Sequence, residues 1–489
     1  KMAFIFPPPL PMSLNVPSLS WPQRAQDARL AETPIESGEV VPSGALGPHV
    51  LLEGDNLEGL KWVVERPDLP RPRLVLIDPP YNTDKRFFYR DRQGAAARTK
   101  EERRASWLGF MLPRLVLAHR WMDDAGVLLV HIDEHEAHYL QVLLTEIFGA
   151  DNDLGALAWD KRNPKGDAGG IAVQHETILA FAKNKERLKN DRSFSRPKPA
   201  AQAFLDKAAV LMKKVGRPFV PGDLKDVVAK YGLAVDLKAF QRPYGADDAR
   251  AEFLAWSQAQ EVPAGLRAYR SLDDQGKVYR SVSMAWPNKK EAPADYFLPL
   301  VHPRTGLPCP IPARGWRNPP ATMARLLAEG RVLFGEDEKK QPERKYLLEE
   351  NLEENWASVV YYGGSDDALL KALGVPFDTP KPVELTKQLI RTFLGPQGGL
   401  VVDFFAGSGT VGHAAMELAV AGFPVQSLCM QKAEELDDSP AQRLGFEFCK
   451  KNGLPVNVFS LTAERLRRVS EQTGQPLDVR RFVSPHPAS

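Results

Sequence analysis

The sequence predicts an α/β fold, a parallel or mixed sheet with helices between its strands and a second domain inserted into it. Three observations predict it. Runs such as LVLI at 74–77 are apolar throughout, as strands covered on both faces are. These runs alternate with segments of helical spacing, the βαβ rhythm. The rhythm stops near residue 186 and resumes near 376, and the stretch between is rich in Pro, Trp and Arg.

Residues 1–48, rich in Pro, Ser and Gly, read as an arm or a poorly ordered lead-in. HVLLEGDNLEGLKWVV gives a strand, a turn at 54–56 and a helix; LVLI is the next strand. SWLGFMLPRLVLAHRWM has helical spacing, and GVLLVHI is a strand. DEHEAHYLQVLLTEIFG follows as a helix, with Asp133 as N-cap and Glu136 three residues on, a capping box. Two strands lie near 156–160 and 177–182. After the insert come the helix KPVELTKQLIRTFL, the strand and glycine turn GLVVDFFAGSGT, the helix VGHAAMELAVAG and the strand FPVQSLCMQ. The expected division is an arm at 1–48, a first catalytic part at 49–185, an insert at 186–375, a second catalytic part at 376–470 and a tail at 471–489.

Composition narrows the class. A chain of 489 residues supports a large core, and no run of about 18 apolar residues predicts a membrane span. The start, KMAFIFPPPLPMSL, lacks the layout of a secretory signal. Cys309, Cys429 and Cys449 form no CxxC pair, so a reducing cytoplasm is the simple expectation. The net charge of +2 decides nothing about nucleic acid, but residues 183–198 hold seven Lys or Arg against two acids. That run reads as a solvated face or as phosphate contacts.

Two strand ends carry the chemistry. LVLI ends in Asp78, Pro79, Pro80 and Tyr81. Proline fixes φ and removes a donor, so this segment is stiff, at the carboxyl end of a strand where open sheets place ligands. The exocyclic amine of a base is a poor nucleophile, because its lone pair is delocalised into the ring. The Asp78 carboxylate and Pro79 carbonyl would draw its hydrogens, and Tyr81 would stack on the base, as flipped bases are held. The second strand end is VVDFFAGSGTVGHAA, 401–415. It is neither the G-x-G-x-x-G of dinucleotide folds nor a phosphate loop. Small residues before a helix N-terminus, beside Asp403, suit a ligand with a carboxylate and an amine, such as the methionine part of S-adenosylmethionine. Taken singly, each motif also reads as an ordinary strand terminus. His131, His135 and His138 read as surface or packing histidines, with no metal expected. Trp286 and Trp316, among Arg, Lys and Pro, suit either nucleic-acid contact or packing.

In this order, with a long insert between, the two motifs resemble the amino-group DNA methyltransferases of the β class. The likeness is closest to the modification subunits of type III restriction–modification systems. LLEGDNLEGLK, IDPPYNTDK, WLGFMLPRLVLA, GVLLVHIDEHE, QHETILAFAKN, HPRTGLPCPIPARGW, FDTPKPVELTKQLI and DFFAGSGTVGHA carry it, over residues 49–185 and 280–415. The resemblance implies a doubly wound, Rossmann-like, S-adenosylmethionine-dependent methyltransferase sheet with an inserted target-recognition domain. It implies N6 methylation of a flipped adenine in double-stranded DNA, since the family's cytosine-N4 enzymes more often carry Ser in place of Asp78.

Residue by residue, it implies that Asp78, Pro79, Pro80 and Tyr81 hold and activate the amine. Asp403, Phe404, Phe405, Ala406, Gly407, Ser408, Gly409 and Thr410 would line the methionine end of the cofactor, and Asp55 and Asn56 its adenine. Lys381 and Pro382 would pack against its carboxylate through backbone groups. After FPVQSLCMQ the family offers an acid for the ribose; here Glu434, Glu435 or neither takes that part. His175 in QHETIL, with Lys161, Arg162 and Trp316, would face base or DNA. The resemblance leaves room for a restriction (helicase–nuclease) subunit in trans and for a homodimer. A methyltransferase of RNA or of a protein amide, and a non-catalytic DNA-binding subunit, are the rival readings.

Overall fold

Leu74–Ile77 is buried on both faces: Val75 and Ile77 enter one core, while Leu74 and Leu76 enter another. The strand lies inside a ten-stranded sheet in the computed structural model, which describes residues 18–34, 39–83, 99–161, 172–192, 194–198, 200–364, 366–378 and 380–483. The chain divides into two units, 1–194 with 356–489, and 195–355.

The first unit holds the large sheet. Its strands are β1 (Glu39–Val41), β2 (His49–Glu53), β3 (Leu74–Ile77), β4 (Val127–Ile132), β5 (Asp153–Asp160), β6 (His175–Ala182), β7 (Val359–Tyr361), β8 (Gly399–Asp403), β9 (Val425–Gln431) and β10 (Leu477–Val483). They lie in the order β1-β10-β2-β9-β8-β3-β4-β6-β5-β7. The middle, β2-β9-β8-β3-β4, is parallel throughout. Helices α1 (Asn56–Val64), α2 (Lys100–Trp121) and α3 (Ala137–Phe148) cover one face. Helices α4 (Val383–Leu394), α5 (Thr410–Val420) and α6 (Val458–Thr473) contribute to the core on the other. This is the doubly wound arrangement.

The chain steps outward from β3 to β4 on one side and from β8 to β9 on the other. Leu74 and Val75 pair with Val401 and Val402, so β3 and β8 are neighbours across the insert. The crevice beyond the carboxyl ends of such a pair is where doubly wound sheets bind ligands. Asp78 and Asp403 both stand there.

Several expectations need correction. The described part of the arm is packed rather than loose: Trp21 and Ala31 enter the core, Arg24 pairs with Glu146, and β1 pairs with β10. The tail holds β10, which covers the edge of β2 that would otherwise expose unpaired backbone groups. No capping box forms at Asp133. Helix α3 starts at Ala137, Asp133 instead accepts from the His135 N–H at 3.0 Å, and Glu136 is buried.

The insert is shorter than the composition shift at 186–375. Leu188 of helix Lys185–Asp191 belongs to the core of the large sheet, and β7 extends that sheet by pairing with β5. The basic run is mostly tied down. Lys183 donates to the Met122 carbonyl (2.6 Å), Lys185 to the Asp153 carbonyl (2.6 Å), Arg192 to the Phe393 carbonyl (2.7 Å) and Lys198 to the Asn351 carbonyl, and Lys189 pairs with Glu186. Four of the seven basic groups thus hold backbone carbonyls, against the expectation of phosphate contacts along the whole run.

The second unit has a four-stranded antiparallel sheet, in the order Ser271–Leu272, Val278–Ser283, Glu343–Leu347, Val332–Leu333. Its first strand, Ser195–Pro197, pairs with its last, Glu353–Asn355. Trp316 is 1% exposed, packs with Met284, Leu300, Met323 and Leu326, and donates its indole N–H to the Leu298 carbonyl at 2.8 Å. It is a core residue, and its candidacy for DNA contact is withdrawn. All three cysteines are free and buried. Among the described residues, no helix is long and apolar enough to cross a membrane.

Candidate active site

The segment after β3 is fixed from both sides. The Pro80 carbonyl accepts the indole N–H of Trp107 on α2 at 2.7 Å. Asn82 has φ 59°, the left-handed region that Asn tolerates better than most residues. Its buried amide donates to Glu136 at 3.0 Å, and Arg104 holds the other Glu136 oxygen at 2.9 Å. Tyr81 is thereby placed with its hydroxyl 2.7 Å from Asp78 Oδ1 and 2.6 Å from Glu176 Oε1. Lys381 Nζ lies 2.7 Å from Asp78 Oδ2, 3.2 Å from Glu176 Oε1 and 5.1 Å from the centre of the Tyr81 ring. Lys161 pairs with Glu176 Oε2, and His131 Nδ1 is 3.4 Å from Glu176 Oε1.

Burial opposes ionisation of Glu176, but Lys381, His131 and Lys161 outweigh it and hold the carboxyl well below the usual range. Burial, with the Asp78 and Glu176 carboxylates beside it, pushes the Tyr81 phenol well above its ordinary value. The phenol is therefore a donor at neutral pH, and Asp78 has each of its oxygens on a donor of its own chain.

The sequence pattern points to His175 and gives Glu176 no part in the site. His175 is exposed, and Glu176 is 3% exposed and faces the site. The signal was available: Glu176 shares a face of β6 with Ile178, Ala180 and Ala182, all in one core. His131 also belongs to this cluster. Lys381 departs from expectation too. Its carbonyl accepts from Thr410 Oγ1 (3.3 Å) at the glycine turn, but its ammonium turns to Asp78. Arg162 lies outside the described residues.

The second strand end is equally constrained. Asp403 is 4% exposed and accepts the Phe405 N–H at 2.9 Å. Burial pushes its carboxyl up to about 8; the Phe405 N–H offsets part of this and the nearby Asp78 carboxylate adds to it. Phe404 is core, and its carbonyl accepts from Asn56 (2.7 Å). The Ala406 N–H goes to the Met430 carbonyl, that of Gly407 to the Gln431 side chain, and that of Gly409 to the Ala406 carbonyl. These three amides are thus engaged within the chain. Gly409 has φ 83°, and a Cβ there would stand 3.2 Å from Thr462 and Leu466. Thr462 donates to the Gly407 carbonyl, and buried Arg465 to Ser408 Oγ at 2.8 Å, so α6 shapes the loop. Both were missed; polar residues three apart on a helix face that also carries Leu461, Leu466 and Val469 are the trace they leave.

Asp55 caps α1 by accepting from the Leu57 N–H at 2.9 Å, with Arg114 and Lys432 each 3.4 Å away. Burial opposes its ionisation, but Arg114 and Lys432 prevail and lower it. Arg114, drawn down to about 10 by burial, also donates to Asn56 at 2.6 Å. It joins both residues and was not foreseen. Pro382 is the N-cap of α4 and is buried. Glu434 is half-buried past β9, its carbonyl accepting from the Val458 N–H. Adjacent strand ends therefore present two unlike carboxyls: Asp78 bound into a cationic cluster, and Asp403 buried beside a glycine turn.

A family model for DNA methylases matches residues 73–427. The Mod subunit of the type III restriction-modification enzyme EcoP15I from Escherichia coli is 29% identical over 454 residues, covering 87% of this chain and 63% of that subunit. The Mod subunit of StyLTI from Salmonella typhimurium is 26% identical over 396 residues, 76% of this chain and 50% of that one. The chain thus spans between half and two thirds of the length of these two relatives. A crystal structure of a DNA modification methylase from Thermus thermophilus, complexed with S-adenosyl-L-methionine, covers 90% of this chain and 100% of its own at 13% identity and a TM-score of 0.34.

Proposed function

Since the chain belongs to the DNA methylase family, we propose that it transfers a methyl group from S-adenosylmethionine to N6 of a flipped adenine in duplex DNA, as a modification enzyme. One observation carries the reading: the D-P-P-Y segment and the glycine turn leave neighbouring parallel strands at the sheet's switch point. The cofactor fits the residues present. Asp403, buried with one oxygen on the Phe405 N–H, suits a cationic amine, and Asp55 suits a hydroxyl or an exocyclic amine. When bound, the cofactor supplies an electrophilic methyl carbon.

The chain's own residues do the rest. Asp78 and the Pro79 carbonyl accept the hydrogens of the target amine and leave its lone pair directed away from the ring. Tyr81 presents its ring to the base, and the two prolines hold these groups to the tolerance that near-attack geometry requires. Expressed in a host without adenine methylation, the protein should leave N6-methyladenine in DNA digested to nucleosides and read by mass spectrometry. Finding N4-methylcytosine in its place would overturn the base assignment.

A pH dependence follows from Asp403. Its carboxyl stays protonated up to about pH 8 in the free protein, whereas a cationic amine favours the carboxylate. Binding should therefore expel a proton below pH 8. Affinity is expected to rise roughly tenfold per pH unit from 6 towards 8 and then level off. Calorimetry in buffers of different ionisation enthalpy reads the proton directly, and a flat affinity with no proton release would remove Asp403 from the amine contact.

A further inference from the structure

Glu176 has no part in the roles assigned so far, yet it is a buried acid in contact with two groups that also hold Asp78. The Tyr81 oxygen is 2.7 Å from Asp78 and 2.6 Å from Glu176, and a phenol has a single hydrogen to donate. An ionised carboxylate only accepts, so the hydroxyl serves one acid at a time. Lys381 likewise straddles the pair, at 2.7 Å from Asp78 and 3.2 Å from Glu176. Glu176 is supported as an acceptor by Lys161 and by His131. With Asp78 held at both oxygens, a target amine must compete with two internal donors, one of them charged. Those donors need somewhere to go.

We propose that Glu176 is a positioning residue for the transfer: it takes over the Tyr81 hydroxyl and the Lys381 ammonium when the target amine reaches Asp78. This rests on the reading of Asp78 as the acceptor of that amine. Only hydrogen bonds are exchanged. The Tyr81 hydrogen turns from Asp78 Oδ1 to Glu176 Oε1, the ammonium leans from Oδ2 towards the same oxygen, and both Asp78 oxygens open to the amine. The acid that opens Asp78 is thus supplied by β6, not by the segment that carries Asp78.

The test uses the full chain, S-adenosylmethionine and plasmid DNA from a host without adenine methylation. Glu176→Gln removes the charge at nearly constant shape. It should lower kcat about 10- to 150-fold, the range expected for losing a charged hydrogen-bond acceptor. KM for cofactor and DNA should stay within about twofold, because the competition is at the reacting group. The decisive measurement is the sign of a second substitution. In the parent, Tyr81→Phe should lower kcat modestly. In the Glu176→Gln background it should raise kcat about tenfold, since it removes a donor that the weakened acceptor no longer draws away from Asp78. A merely structural glutamate predicts that the two losses add.

Should Glu176→Gln fail to bind cofactor by calorimetry, Glu176→Asp carries the same comparison, the shorter acid reaching the donors less well. Activity of Glu176→Gln equal to the parent, or a loss deepened by Tyr81→Phe, overturns the proposal while leaving Asp78 its role. Full activity of Asp78→Ala would instead overturn the reading on which it rests.

Discussion

Asp78→Ala is expected to lose methyl transfer by roughly 10³-fold or more, while binding S-adenosylmethionine at least as well as the parent. The loss follows from the proposed transfer, in which the Asp78 carboxylate accepts a hydrogen of the target amine. Retention of cofactor follows from electrostatics. The Asp78 carboxylate makes Asp403 harder to ionise, so removing it favours the Asp403 carboxylate. The fold should survive, because Lys381 keeps Glu176 as a partner at 3.2 Å. Single-turnover methyl transfer and calorimetric titration separate the two effects. A variant that loses the cofactor along with transfer would place Asp78 in the other half of the site.

Asp403→Asn is expected to do the reverse and to stabilise the protein as it disables it. A carboxyl raised from 3.8 to about 8 stays protonated in the folded chain while it ionises in the unfolded one. The sign is destabilising. The penalty grows from pH 3.8 to about pH 8 and is constant above, at about 1.4 kcal/mol for each pH unit crossed. Asparagine escapes it and still accepts from the Phe405 N–H. The free variant should therefore melt higher near pH 8, by an amount that shrinks towards pH 4. Truncating a buried charged contact costs about 2–5 kcal/mol, so the cofactor should bind roughly 30- to 5,000-fold more weakly. A variant that melts lower at pH 8 would mean that the carboxylate has a partner that stabilises it.

The elements that were legible in the sequence are those whose periodicity is local. The strands at 49–53, 74–77, 127–132 and 399–403, and the helices after them, follow from apolar runs and spacing within each segment. What could not be read is long-range. That β3 lies against β8 depends on the insert returning the chain, and no local pattern encodes it. β10 carries Asp478, Arg480 and Arg481, and Arg480 reaches burial by pairing with Asp478 at 2.6 Å and donating to the Pro42 and Ala45 carbonyls. A charged strand of this kind looks like a tail.

The site divides in the same way. D-P-P-Y and the glycine turn are contiguous, so they can be read. Glu176, His131 and Arg114 lie apart from both motifs in the chain and meet them only in the fold, whereas Lys161, expected to face base or DNA, pairs with Glu176. Trp316 misled because burial depends on neighbours such as Leu300 and Met323 as well as on the Arg and Lys around it in sequence.

The ribbon formed by Ser195–Pro197 and Glu353–Asn355 has a consequence for how such proteins change. A unit that closes on itself where it begins and ends asks little of its host beyond two chain ends at the spacing of paired strands, about 5 Å. Exchanging 195–355 for another unit with the same closure should preserve the pairing of β3 with β8, and with it the chemistry. Such a chain can replace its second unit in one recombination event while the strand ends that carry Asp78 and Asp403 are inherited unchanged.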